Sequence, residues 1–166
     1  MRFLLACILT LGCEGPKDSS SFPCGPGDGV LTIGVDDPLV AISADGVSIE
    51  EGLQGGYHID ISLAVTGSID PDQADISLTL RQGERLLARH RTDNWLLKIF
   101  EDGHCEYPEA RLVFAHRDGA LFELDEVTSL LGSEVDLTAT IETPQGDVSG
   151  QFNLTLFELR RLDDIE

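Results

Sequence analysis

The sequence predicts an all-β fold, an antiparallel sandwich of about seven to nine strands, on three observations. From residue 30 onward apolar and polar residues alternate, placing one side-chain set on a buried face and the other in solvent. Turn residues punctuate the alternating runs roughly every ten residues, the spacing of short strands joined by hairpins. No stretch keeps a helical period beyond two turns; residues 124–131 (LDEVTSLL) come nearest and read as a single turn. A hydrophobic content of 42% with 25% charged residues is enough to bury a core and too apolar for a disordered chain.

The clearest strand covers residues 57–65, where Tyr57, Ile59, Ile61, Leu63 and Val65 point one way and His58, Asp60, Ser62 and Ala64 the other. Residues 75–81 and 85–91 form a hairpin around Gln82-Gly83-Glu84. Trp95, Leu97 and Ile99 alternate in a further short strand. Residues 112–116 and 120–124 flank Asp118-Gly119, a pair suited to a turn needing positive φ, and predict a second hairpin. In 134–142 Val135, Leu137, Ala139 and Ile141 face inward, and Pro144-Gln145-Gly146-Asp147 turns this strand into the one holding Val148. Phe152, Leu154 and Leu156 complete the core strands.

The amino terminus carries a different signal. Met1-Arg2 is followed by ten uncharged residues, Phe3 to Gly12. As a helix they would extend about 15 Å, too short for a hydrocarbon core of roughly 30 Å, and they match the apolar region of an export signal. Thr10-Leu11-Gly12-Cys13 resembles a bacterial lipobox, although Thr10 stands where the family prefers leucine. Leu4-Leu5-Ala6-Cys7 fits that pattern but leaves too short an apolar stretch. The resemblance implies cleavage before Cys13, lipidation of Cys13, and a membrane partner reached through the acyl chains. Localisation in the bacterial cell envelope follows, with the outer membrane the default; a soluble secreted protein with a simple cleaved signal is the alternative. Residues 14–29, rich in Gly, Pro, Ser and charge, suit a solvated tether. The expected organisation is a signal peptide at 1–12, a lipidated cysteine and tether at 13–29, and one β domain at 30–166.

With Cys7 removed and Cys13 acylated, Cys24 and Cys105 remain in an oxidising compartment, where a disulfide is expected. A metal site built from Cys105 and His104 is the competing reading, weakened by the absence of a second close-spaced pair. The stretch 131–140 with the turn and strand after it is similar to the last two strands of bacterial immunoglobulin-like modules, so the sandwich is expected to be immunoglobulin-like. The Cys…Trp…Cys spacing of antibody domains is missing. Gln54-Gly55-Gly56-Tyr57-His58 resembles a strand entry of small Gram-negative envelope lipoproteins; physically, the glycines let the chain turn into the strand.

Eleven Lys+Arg against thirty Asp+Glu leave a formal charge of −19, which would be repelled by nucleic-acid phosphates, so no nucleic-acid partner is expected. The sequence contains no G-x-S-x-G elbow, no H-E-x-x-H, no P-loop and no G-x-G-x-x-G opening a helix. His58, His90, His104 and His116 are scattered, and parity sets His58 on the solvent face. From residue 18 to residue 80 there is no Lys or Arg, and Asp70-Pro71-Asp72-Gln73-Ala74-Asp75 is the tightest acidic group, without the EF-hand spacing. Arg81, Arg85, Arg89, His90 and Arg91 form the opposite patch, expected to pair with the protein's own carboxylates. Asn153-Leu154-Thr155 matches a glycosylation sequon but falls in a strand. The resulting expectation is a lipid-anchored envelope binding or scaffolding module, possessing no catalytic residues, metal or cofactor, with an envelope protein as partner. Two alternatives stand beside it: an enzyme with a loop-built carboxylate site, and a Ca²⁺-stabilised adhesion-type module.

Overall fold

The computed structural model of the chain describes residues 24–162. In chain order the elements are Val30–Val35 (β1), Val40–Ala41 (β2), Val47–Glu51 (β3), Tyr57–Thr66 (β4), Ala74–Gln82 (β5), Arg85–Trp95 (β6), Lys98–Ile99 (β7), Cys105–Phe114 (β8), Leu124–Thr128 (α1), Glu134–Thr143 (β9) and Gly146–Arg160 (β10). Seven strands form a closed ring, β4-β3-β10-β9-β5-β6-β8 and back to β4, while β1, β2 and β7 pair outside it. The all-β expectation holds, but the two-sheet sandwich is corrected to a barrel with added strands. Alternation looks the same in a sheet packed on another and in a sheet closed on itself. What separates them is the pairing of β4 with β8, a long-range register that local pattern does not carry. One seam is also parallel, β3 against β10, where the reading expected antiparallel neighbours throughout.

The interior is filled by the alternating residues. Ile59, Ile61, Leu63, Ile76, Leu80, Leu112, Phe114, Leu137 and Ile141 are all buried, and α1 adds Val127 at one end. Full burial of such side chains contributes roughly 1.5–3 kcal/mol each, which is why the inward parity of β4, β5 and β9 was readable. The 82–85 hairpin turns at Gly83 and Glu84 with Gln82 opposite Arg85, and β9 meets β10 with Thr143 opposite Gly146. The strands expected around Val148 and Phe152 are one continuous β10. The hairpin at Asp118-Gly119 keeps its turn, with His116 N–H donating to the Ala120 carbonyl at 2.8 Å, but its second arm is a single bridge at Leu121. The chain there runs directly into the capping box of α1, whose Glu123 and Glu126 exchange side-chain and backbone hydrogen bonds.

Around β4 the wall is more complex than alternation implies. One edge of β4 pairs with β8; the other edge is shared, its start with β3 and its end with β1. The chain therefore forks along that edge. Opposite Ser62, β8 spends two residues on one, Pro108 and Glu109, with Glu109 at φ 51°. The Ser62 hydroxyl donates to the Asp36 carbonyl at 2.6 Å and accepts from Glu109 N–H at 3.1 Å, pinning the bulge to the loop after β1. Gly46 enters β3 at φ 115°, and a Cβ there would stand 2.1 Å from the Thr155 carbonyl oxygen of β10, so only glycine permits this approach.

The segment 24–29, read as the end of the tether, lies against the barrel. Cys24 is fully buried, its carbonyl accepts from Gly67 N–H at 2.8 Å, and the Gly27 carbonyl accepts from Ser68 N–H at 3.0 Å.

Candidate binding cleft on the outer wall

Within the fork between β1 and β3 lies a cleft of about 500 Å³, bordered by Asp36, Ser48, Glu50, Asp60, Glu109 and Arg160 with Phe157 as its exposed aromatic edge. Strand register places its charges. Glu50 of β3 is directly opposite His58 of β4, and Arg160 of β10 is opposite Glu50. Asp60 follows His58 by two residues, hence on the same outer face, and is opposite Arg111 of β8. A ladder of charged residues thus crosses four strands, with Arg160 and Arg111 at its ends, the carboxylates of Glu50 and Asp60 between them, and His58 in its middle.

The contacts follow that ladder. Arg111 grips Asp60 with both ends of its fork, Nε to Oδ1 at 3.0 Å and Nη2 to Oδ2 at 2.9 Å. Arg160 reaches Glu50 at 4.0 Å, and also Glu158 at 2.7 Å. Beyond Arg111 a second hollow of about 640 Å³ runs along the 52–56 loop and Tyr57, so His58 sits between two recesses. Gly55 and Gly56 stand at φ 85° and 80°, the conformation that turns this loop into β4.

His58 occupies the outer face as parity requires, but it is only 6% exposed, so the solvent-exposed histidine expected from the sequence is corrected to a buried one. Glu50, Asp60 and Arg111 flank it, and the Cβ position of Gly52 is 3.7 Å from its Nδ1. Burial holds the imidazole below its ordinary pKa; Asp60 and Glu50 pull it up and Arg111 presses it down without reversing the sign. Its Nε2 stops 3.6 Å from Asp60 Oδ2, beyond hydrogen-bond reach. Among the described residues, Glu50, His58 and Asp60 are the group of His, Cys, Asp or Glu side chains close enough to share a metal ion, with ligand atoms all within 4.8 Å of one another.

The sequence-derived candidates fall in other places. Cys13, Cys7 and the lipobox lie outside the described residues. Cys24 and Cys105 are bonded sulfur to sulfur, with Cα atoms 5.1 Å apart, so Cys105 is spent and the competing metal reading with His104 is overturned. His104 is held by the carboxylates of Asp102 and Glu106 and stacks on Phe100 at 4.6 Å. His90, taken for a surface residue among arginines, joins a half-buried network in which Nε2 is 2.7 Å from the Tyr107 hydroxyl and 3.0 Å from Thr92.

Of the arginine patch, Arg85 pairs with Glu126 and Arg91 with Asp93, as expected, and Arg81 donates to the Glu84 carbonyl. Arg89 finds no carboxylate within ion-pair distance among the described residues, and with Arg81 and Arg117 it borders a shallow hollow of about 400 Å³. The acidic group at 70–75 does not converge. Asp70 accepts from Asp72 N–H and from the Gln145 amide, whereas Asp75 accepts from Asn94 N–H. Asn153 lies on β10 facing Asp136 at 3.4 Å.

Glu50 and Asp60 bring carboxylate oxygens within 4.8 Å of one another, closer than the roughly 5–5.5 Å or about 6.5–9.5 Å that separates a glycosidase's two carboxyl groups, and neither occupies the apolar pocket that makes a carboxyl group a proton donor. Their side chains are 46% and 23% exposed and each faces an arginine. His58 and Asp60 were visible as same-face neighbours in the sequence; Glu50 was missed because its partner is set by the β3–β4 register across a glycine loop. No protein-family model matches the chain, and no match to a curated protein emerges.

Proposed function

We propose that the protein is a non-catalytic binding module of the bacterial cell envelope, anchored to the membrane through acyl chains on Cys13 and presenting the outer cleft to its ligand or partner protein. The observation supporting a binding role is the division of the barrel: its interior is packed with side chains, while the concave, charged surface lies outside, in the fork between β1 and β3. Fixed charges of both signs along that fork favour a polar partner, and ladders of this kind set orientation more than raw affinity. The chain meets the barrel at Cys24, eleven residues after Cys13, so a membrane-held Cys13 could stand no more than about 38 Å from it. Two or more acyl chains are sufficient for stable anchoring.

The experiment is intact mass and membrane partitioning of the full chain expressed in a Gram-negative host, comparing wild type with Cys13→Ser. The expected result is a lipid-sized mass increment that disappears in the variant, together with release from membranes. A soluble, unlipidated wild type overturns the anchor and leaves a secreted barrel with the same cleft.

A further inference from the structure

We propose that Glu50, His58 and Asp60 form a binding site for a divalent transition metal of the zinc class on the outer wall of the barrel. One imidazole and two carboxylates make a donor set that suits such an ion, and three protein ligands leave a fourth position open. The site stands on geometry that exists without the ion. Glu50 and His58 are directly paired across β3 and β4, and Asp60 is the next outward residue of β4, so the sheet itself aims three donors at one point.

The distances are close to those coordination requires. Metal–ligand bonds of about 2.0–2.1 Å in a tetrahedron place donor atoms about 3.4 Å apart. His58 Nε2 and Asp60 Oδ2 already stand at 3.6 Å. The widest separation in the group is within 4.8 Å, and Glu50, with a side chain 46% exposed, is the ligand able to rotate inward.

Two features separate this cluster from a chance gathering of acids. His58 is 94% buried by the complement of its 6% exposure, and its Nε2 points at Asp60 without a hydrogen bond. Asp60, meanwhile, is oriented by the bidentate grip of Arg111, which occupies two of the roughly four lone-pair positions of the carboxylate and leaves the others toward His58. Such an outer partner, fixing a ligand's orientation, is a regular companion of metal sites.

The competing view is that the same residues form only a charge ladder closing the barrel. Calorimetric titration of untagged, oxidised, chelator-stripped full-length protein with Zn²⁺ alone separates the two, with Ca²⁺ and Mg²⁺ as controls. The expected result is one equivalent of Zn²⁺ bound, little response to Ca²⁺, and a tetrahedral Co²⁺ absorption spectrum. Glu50→Gln and His58→Gln should each weaken Zn²⁺ binding at least tenfold with unchanged circular dichroism. If His58→Gln does not fold, Glu50→Gln, at a half-exposed position, decides alone. No Zn²⁺ binding, or binding untouched by Glu50→Gln, overturns the proposal and leaves the ladder.

Discussion

Two stretches of the same barrel wall obey different rules. Along β5 and β9 burial alternates almost without interruption, one face in the core and the other in water. Along β4 and β8 it does not: His58, Ser62 and Glu106 are buried although they lie opposite the core-facing set. The difference is what lies outside. Among the described residues no further strand pairs across the outward β5–β9 face, which carries polar side chains such as Ser77, Thr79, Asp136 and Thr138, whereas the loop after β1, the 52–56 loop and the segment at Cys24 pack against the β4–β8 seam. Polar groups trapped beneath a cover must find partners, and the cleft, the disulfide and the metal-competent cluster are all on that side.

The largest test of this asymmetry is the disulfide, which ties Cys24 to β8 across a sequence separation of 81. Removing it by Cys24→Ser with Cys105→Ser should cost roughly 4 kcal/mol on the chain-entropy view. Urea unfolding of the oxidised protein and the double variant measures this. A loss below about 1 kcal/mol would mean that the cover is held by its own packing and the linkage is incidental. Next comes the plain wall: Leu137→Ala, at a fully buried β9 position paired with Leu80, should cost about 3 kcal/mol, while Thr138→Ala on the exposed face should stay within about 0.5 kcal/mol.

Those two regions also differ in how far the sequence foretold them. Val135, Leu137, Ala139 and Ile141 were assigned correctly because a strand covered on one face has a period of two and nothing else to satisfy. Barrel closure was illegible, since the β4–β8 pairing joins residues about fifty apart and leaves no local mark. β3 was overlooked as well; it is short, and its parallel match to β10 is interrupted between Leu156 and Leu159. The same gap hid the cleft. Asp60 and Arg111 are 51 residues apart in sequence, and only register brings them to 2.9 Å.

Like substitutions in the two regions sharpen the contrast. Ser62 is fully buried and serves both the Asp36 carbonyl and Glu109 N–H, so Ser62→Ala strands two backbone groups and should cost about 2 kcal/mol. Ser77, mid-strand on β5 and only half-buried, has no such duty, and Ser77→Ala should change stability by less than about 0.5 kcal/mol. Equal effects in denaturant titrations would show that the bulge at Glu109 does not depend on the serine, and the seam would then lose its claim to special chemistry.

The smallest effect is one of sign. His104 and His58 both belong to the seam side, yet their environments drive them apart. Burial by itself would lower His104, but its hydrogen bonds to Glu106 and Asp102 outweigh that and raise its pKa. The folded protein therefore holds the His104 proton more tightly than the unfolded chain does. This stabilisation is fully present below the unfolded value of about 6.5 and disappears as pH rises through the folded pKa. For His58, lowered chiefly by burial, the direction reverses: its contribution is intact above about 6.5 and lost as pH falls toward the folded value. Melting temperatures measured with chelator at about pH 5.5 and about pH 8.5 test this, because His104→Gln should fall further below wild type at the acid end. An equal deficit at both pH values would mean that His104 is held by neutral hydrogen bonds. The buried Glu106, which also accepts from Leu39 N–H at 3.3 Å, would then have to rely on backbone donors for its compensation.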